Sequence, residues 1–424
     1  MKEKNTSARK YAVYTLGCKV NQYETQAVET MLRERGFEPA EEGADVIIVN
    51  TCAVTAESGR KSRQAIRRLM TRHPGALTAV CGCFSQLEPE AVKALGADIV
   101  FGSGQKKELV EAIEASLPAV AVDDPFKRRI FEPLPAGAAG GRTRAMLKIQ
   151  DGCDNFCTYC VIPYTRGRVR SLPLSDCANQ AAELAAEGFA EIVVTGIEIA
   201  SYGKDLPGKP GLADAIEAIS NAAPETRLRL GSLEPTVVTE AFCQKLAALG
   251  NVCPHFHLSL QSGGDDTLRR MKRKYDTAAF YRCCETLRRY FADCSLTADL
   301  ICGFPGETEE HFAETLAFLE KCGFLFVHAF PYSPRPGTKA AEMAGQLSRS
   351  EKEQRVRRAG AVIRRLQKER LAAHVGKTLS VLFENSHEGH SGDYCTVKTE
   401  SAYERGTVHN IQITGVDGEI LLGK

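Results

Sequence analysis

From Tyr11 to Phe330 the chain alternates short β-prone runs with helical stretches, and this alternation restricts the fold more than any other feature. Tyr11–Leu16, Asp45–Asn50, Leu77–Cys81 and Asp98–Gly102 read as strands, and the stretches ending at Arg35, near Glu57–Arg72 and at Lys106–Ala115 read as helices. That order predicts an open parallel α/β sheet. Residues 132–142, rich in Pro, Gly and Ala, predict a linker. Six more strand runs follow, at Ala145–Gln150, Glu191–Thr195, Arg227–Ser232, His255–Leu260, Ser295–Ile301 and Leu325–Phe330. Six βα units predict an incomplete (β/α)6 barrel, although periodicity alone does not separate that from a flat sheet. Glu351–Ala373 reads as one basic helix. After Lys377 the pattern changes to period two, at Leu379–Phe383, Tyr394–Lys398, Val408–Ile413 and Ile420–Leu422, which predicts a small antiparallel barrel or sheet. The expected organisation is 1–131, a linker at 132–142, a barrel at 143–347, the helix at 348–374 and a last domain at 375–424.

With 54 Lys and Arg against 53 Asp and Glu, the net charge of +1 excludes a polycation that coats nucleic acid but leaves room for local patches. Four basic groups stand out: Arg60, Arg63 and Arg67; Arg166, Arg168 and Arg170; Lys272, Arg273 and Lys274; and 351–370, which carries eight Lys or Arg against three Glu. Each has a plain alternative as a solvated face. Sixteen cysteines in 424 residues are too sparse for a disulfide-stapled secreted module. No apolar leader opens the sequence and no run reaches bilayer length, so a reducing, cytoplasmic setting with no membrane partner is expected.

In such a setting spaced cysteines point to metal or redox chemistry. Cys153, Cys157 and Cys160 form a C-x3-C-x2-C loop directly after the first barrel strand. Three thiolates can hold three irons of a cubane and leave the fourth open, whereas a fully ligated cluster takes four cysteines. The alternative, a zinc knuckle, wants a fourth ligand, and no His or Cys follows until Cys177. Cys18, Cys52 and Cys83 each follow one of the first three strands. Parallel strands end on one edge, so these three are expected to converge there. Cys81 competes with Cys83, but Gly82-Cys83 sits at the loop, where a ligand belongs. The other ten cysteines share no spacing and read as buried small residues.

The Cys153–Cys160 loop resembles the radical S-adenosylmethionine signature. Tyr14-Thr-Leu-Gly-Cys18-Lys-Val-Asn-Gln-Tyr-Glu24, Asn50-Thr-Cys52, Pro163-Tyr-Thr-Arg-Gly-Arg168, Ser232-Leu-Glu-Pro235 and Gly303-Phe-Pro-Gly-Glu307 resemble the methylthiotransferase family, as do Leu258-Ser-Leu-Gln-Ser-Gly263 and Pro331-Tyr-Ser-Pro-Arg-Pro-Gly337. The resemblance runs from about Tyr11 to the C-terminus. Leu16–Glu24 is most similar to the branch acting on threonylcarbamoyladenosine in tRNA; the branches acting on isopentenyladenosine in tRNA or on a ribosomal protein are alternatives. Glu198 departs from the amide or His common in relatives.

The resemblance implies two [4Fe-4S] clusters. One, on Cys153, Cys157 and Cys160, would bind S-adenosylmethionine and cleave it to a 5′-deoxyadenosyl radical. The other, on Cys18, Cys52 and Cys83, would carry the sulfur that is methylated and transferred to C2 of the adenine next to the anticodon. No catalytic side chain is assigned beyond the clusters. Gly196, Ser232, Glu234 and Gln261, at barrel strand ends, are expected cofactor contacts, with rim capping as the alternative. Arg166 or Arg168 would meet the substrate carboxylate. The last domain resembles the TRAM module, an RNA-binding barrel. Expected partners are the tRNA anticodon loop, an electron donor and a sulfur source. A function of another class, a non-catalytic iron–sulfur RNA-binding regulator, has no need of two open irons.

Overall fold

The computed structural model describes residues 8–136 and 143–424. Its compact units interleave along the chain. The first takes the described residues of Met1–Gly141 with Asp151–Asn155 and Cys160–Ser171; the second takes those of Arg142–Gln150 with Phe156–Tyr159 and Leu172–Lys424.

The first unit is built on a parallel sheet whose strand order is Glu38–Pro39, Lys10–Thr15, Val46–Thr51, Leu77–Gly82, Ile99–Phe101, Ala119–Ala121. Val46–Thr51 is buried along its whole length, as expected of a central strand covered on both faces. Ile47, Val49, Val80 and Val100 pack with Ile66, Leu69 and Phe84 in one core cluster. The helix Ala56–Arg72 starts at a Thr55–Ser58 capping box, which satisfies two otherwise orphaned backbone donors. The two edge strands escape sequence reading because they are only two and three residues long and carry no apolar alternation. The expected linker also starts too early. Glu132 accepts from the backbone N–H groups of Gln105 and Lys106 at 3.0 and 2.5 Å, capping the helix Lys106–Ala115, and the buried Leu134 accepts from Tyr23 Oη at 2.8 Å. Residues 132–136 therefore belong to the first unit; 137–142 lie outside the described residues.

In the second unit Ala145–Asp151, Glu191–Gly196 and Arg227–Leu230 pair in parallel, as do His255–Gln261, Ser295–Cys302 and Phe326–Pro331. Parallel bridges at Leu228–Val252 and Leu233–Leu258 join the two sets. The six strands thus follow in chain order with helices between them, the connectivity of a partial (β/α) barrel. The helix Arg349–Ala372 leads to a closed five-stranded barrel of Thr378–Phe383, Glu388–Ser391, Thr396–Thr399, Ile420–Gly423 and Val408–Asp417. Glu388–Ser391 was missed because Glu-Gly-His-Ser has no apolar alternation.

This last barrel is not a free appendage. Arg229 is fully buried, donates to Glu191 at 2.7 and 3.0 Å and to the carbonyls of Gly392 and Ser391 at 2.9 and 3.2 Å, and lies over the Tyr394 ring. Tyr394 in turn stacks on His255. His374, at the end of the long helix, pairs with the buried Asp393 at 2.6 Å, and that hydrogen bond raises the imidazole pKa. Residues 375–424 therefore form one compact unit with 172–374.

Candidate iron–sulfur sites

Three strand ends bring Cys18, Cys52 and Cys83 together in the first unit. The register pairs Thr15 with Asn50 and Thr51 with Gly82, so the loops leave one edge side by side. Two glycines make the approach possible. A Cβ on Gly17 (φ +101°) would lie 2.9 Å from both Cβ and Sγ of Cys52, and one on Gly82 (φ +104°) would lie 2.4 Å from the Thr51 carbonyl oxygen. Both backbones are left-handed, which favours glycine. Asn21 ties the edge together, donating to the carbonyls of Leu16 and Thr51 at 2.8 and 3.0 Å. Cys18 keeps part of its surface open to solvent, yet the protein mass around it pushes its thiol up to about 11, and the neighbouring Cys83 and Cys52 add to that shift. Burial raises Cys52 too, with Cys83 the next cause. Each thiol thus feels the other two or is felt by them. Cys81, also pushed up to about 11 by burial, lies near Lys106 and Glu24, which act on its thiol in opposite directions.

Behind this edge is a buried ion network. Arg166 pairs with Glu24, donates to Asn21 Oδ1 at 2.7 Å and lies 3.5 Å from Asp151, while Lys106 Nζ lies 3.9 Å from Glu24. Arg166 has no solvent-exposed surface. The expectation that it meets a substrate carboxylate is therefore corrected: its guanidinium is buried and engaged by Glu24, Asn21 and Asp151 of this chain. Arg168 is different, with a side chain 58% exposed and a loose pair to Asp154 at 3.3 Å.

The residues of the second cysteine set are divided between the units. In the first unit, Cys153 and Cys160 accept backbone N–H donations from Asn155 and Ile162 at 3.5 and 3.4 Å. In the second, Cys157 Sγ accepts from Arg273 Nη1 at 3.1 Å, and Thr158 is held by the backbone of Met271 and Arg270. Amide and guanidinium donors aimed at sulfur orient these side chains, as hydrogen bonds to metal-ligand atoms do.

The barrel strand ends carry the expected polar residues. A Cβ on Gly196 would meet Gln150 O and Ile199 Cγ2 at 2.9 Å, so strand packing already accounts for this glycine. Ser232 is exposed, Glu234 is buried, and Gln261 adopts a left-handed backbone (φ +65°). Glu198, held at its N–H by Gln150 Oε1 at 2.7 Å, is pushed up to about 8 by burial and by its hydrogen bond with Glu234. Sequence reasoning placed Arg273 in a basic surface patch; its hydrogen bond to Cys157 and its place over the Tyr275 ring remove it from that role. Arg170 is buried against the Arg166 and Arg168 carbonyls and Asp151, and Arg60 and Arg63 pair with Glu57 and Glu88. On the long helix Arg355 is buried against Glu307, and Arg358 and Arg365 pair with Glu309 and Glu320. Exposed Arg357, Arg364 and Lys368, at helical spacings of seven and four, line one stripe.

Residues 147–319 match the Radical SAM superfamily, and residues 10–102 match a family described as Uncharacterized protein family UPF0004. A threonylcarbamoyladenosine tRNA methylthiotransferase, MtaB of Bacillus subtilis, is 38% identical over 88% of this chain and 85% of its own length. This chain belongs to the radical S-adenosylmethionine methylthiotransferases. A tRNA-2-methylthio-N(6)-dimethylallyladenosine synthase of Syntrophomonas wolfei is 37% identical over 84% of the chain and 82% of that protein. Among solved structures, the radical S-adenosylmethionine methyltransferase TsrM of Kitasatospora setae shares the fold, with a TM-score of 0.57, 17% identity and coverage of 79% and 77% of the two chains.

As a methylthiotransferase the chain is an enzyme of the transferase type, with S-adenosylmethionine and [4Fe-4S] clusters as cofactors; enzymes of this kind use two clusters. The residues present fit such groups. One set offers three thiols across a glycine-lined edge, and the other offers sulfurs that already accept hydrogen bonds. Among the described residues no helix is long and apolar enough to cross a membrane.

Proposed function

We propose that this chain is a tRNA methylthiotransferase that converts N6-threonylcarbamoyladenosine next to the anticodon into its 2-methylthio derivative. Cys153, Cys157 and Cys160 hold one [4Fe-4S] cluster, and Cys18, Cys52 and Cys83 hold the other. The single observation that carries this reading is the convergence of the second trio, because radical generation by itself needs only the first. When bound, the clusters supply electron transfer to S-adenosylmethionine and the sulfur that is transferred. The chain supplies placement and water exclusion. Arg273 orients Cys157. Glu198, whose carboxyl burial pushes up, and the buried Glu234 to which it is hydrogen-bonded offer polar partners to ribose hydroxyls, with Ser232 and Gln261 also at barrel strand ends.

For the substrate, Arg168 is the exposed cation nearest in sequence to the cluster loop and suits the threonylcarbamoyl carboxylate. A charge-assisted hydrogen bond contributes about 1.5 kcal/mol at the lower end, roughly tenfold in selectivity over a neutral isopentenyl group. The stripe of Arg357, Arg364 and Lys368 suits tRNA phosphates, and residues 375–424 suit an RNA-binding module. The reaction draws on an electron donor and a sulfur source, in the cytoplasm. The test is reaction of the reconstituted enzyme with tRNAs carrying threonylcarbamoyladenosine, isopentenyladenosine or neither, read by nucleoside mass spectrometry. Methylthiolation of the first alone is expected; methylthiolation of the second alone, or only of a ribosomal protein, contradicts the assignment.

A further inference from the structure

Two features of the sheet-edge site are unexplained by ligand placement alone. The first is a concentration of buried charge. Among the described residues of the first unit, Lys106, Arg166 and Arg170 are buried with Glu24 and Asp151, and the partly buried Glu132 also acts on Arg170. Arg166 lies near enough to the Cys83 sulfur to interact with it. The second is an idle donor. Arg166 Nη1 and Nη2 are occupied by Glu24 and Asn21, but its buried Nε–H has no hydrogen-bond partner. A buried N–H without an acceptor is costly and rare. Asn21 Oδ1, which accepts from Arg166, also lies 3.9 Å from Cys18 Sγ, so the guanidinium is one residue removed from the ligand set.

We infer that Arg166 is a positioning residue for the cluster on Cys18, Cys52 and Cys83: it offsets the negative charge of sulfur-ligated iron and sets how readily that cluster accepts an electron. The inference rests on the two-cluster reading above. A nearby cation stabilises the more negative, reduced state, so removing it disfavours reduction, and removing the charge of its partner Glu24 does the reverse.

The experiment uses the full-length, anaerobically reconstituted chain carrying Cys153→Ala, Cys157→Ala and Cys160→Ala, so that only the sheet-edge cluster contributes. It is titrated with dithionite, one electron per cluster, and followed by electron paramagnetic resonance. Adding Arg166→Gln is expected to weaken reduction about tenfold, a midpoint lower by about 59 mV for a one-electron couple. Arg166→Lys, which keeps the charge, moves it less, and Glu24→Gln moves it the opposite way. Unchanged midpoints overturn the inference, as do shifts of the same sign in Arg166→Gln and Glu24→Gln, the mark of a merely loosened site. If Arg166→Gln retains no iron, the signs for Arg166→Lys and Glu24→Gln decide. A parent chain that binds no iron contradicts the two-cluster reading itself, whereas a loaded parent with unmoved variants contradicts only the role of Arg166.

Discussion

The two cysteine sets are built by opposite means. Cys153, Cys157 and Cys160 lie within eight residues, and their sulfurs accept hydrogen bonds from Asn155, from Ile162 and from Arg273. Cys18, Cys52 and Cys83 lie about thirty residues apart and meet only because three parallel strands are in register and two glycines let their loops close. The first set is a property of a loop, and the second is a property of a folded sheet. The two should therefore fail separately, and to different perturbations.

The largest effect is expected from Gly82→Ala. A methyl group there would press on the Thr51 carbonyl in a left-handed backbone that alanine resists, displacing Cys83. Iron should fall from about eight to about four per chain. Methylthiolation should be lost while 5′-deoxyadenosine formation persists; undiminished iron would show that the edge tolerates the change. The loop set is attacked instead by Arg273→Gln, which removes the donor to Cys157 and should slow S-adenosylmethionine cleavage about tenfold, about 1.4 kcal/mol in the barrier, with iron content unchanged. Equal cleavage rates would assign Arg273 to packing on Tyr275.

The second unit also carries a buried carboxyl whose pKa lies far above its ordinary value. Burial and the hydrogen bond with Glu234 push the Glu198 carboxyl up to about 8 from its ordinary 4.5. A raised acid favours the folded state fully below its unfolded pKa, and that contribution is lost as pH climbs through the folded one. Glu198→Gln removes this loss. Relative to the unsubstituted chain its stability should rise between about pH 4.5 and pH 8, by on the order of 2 kcal/mol or more. Parallel pH–stability curves from denaturant titration would mean that the carboxyl is ionised throughout.

The smallest expected effect concerns the helix Arg349–Ala372. Replacing Arg357, Arg364 and Lys368 with Gln should lower the salt slope of tRNA binding by roughly 0.7–0.9 for each phosphate that is no longer neutralised. Replacing Arg358 and Arg365, which Glu309 and Glu320 already engage, should leave the slope where it was. Equal slope changes in both sets would remove the distinction between the stripe and the paired face.

Much of this architecture is legible in the amino-acid order. Val46–Thr51 and Leu77–Gly82 are short, mainly apolar and β-prone runs that stop just before Cys52 and Cys83, and from that the parallel sheet and its cysteine edge follow. What sequence could not reveal are partnerships across long separations. Arg166 and Glu24 are 142 residues apart, so a buried ion pair looks like a free basic patch. Arg273 and Cys157 are separated by 116 residues, and Arg229 meets the last barrel more than 160 residues later. Truncation after Ala373 would remove two carbonyl acceptors from the buried Arg229 and expose the partners of Tyr394, so a destabilised second unit is expected.

The central claim is that the sheet edge holds a cluster of its own. Its most direct test is Mössbauer and iron analysis of the reconstituted chain carrying Cys153→Ala, Cys157→Ala and Cys160→Ala. We expect about four irons per chain in a single [4Fe-4S] environment, lost on further substitution of Cys18, Cys52 or Cys83 but retained in Cys81→Ala. A triple variant that binds no iron, or one whose cluster depends on Cys81 and not on Cys83, would contradict it.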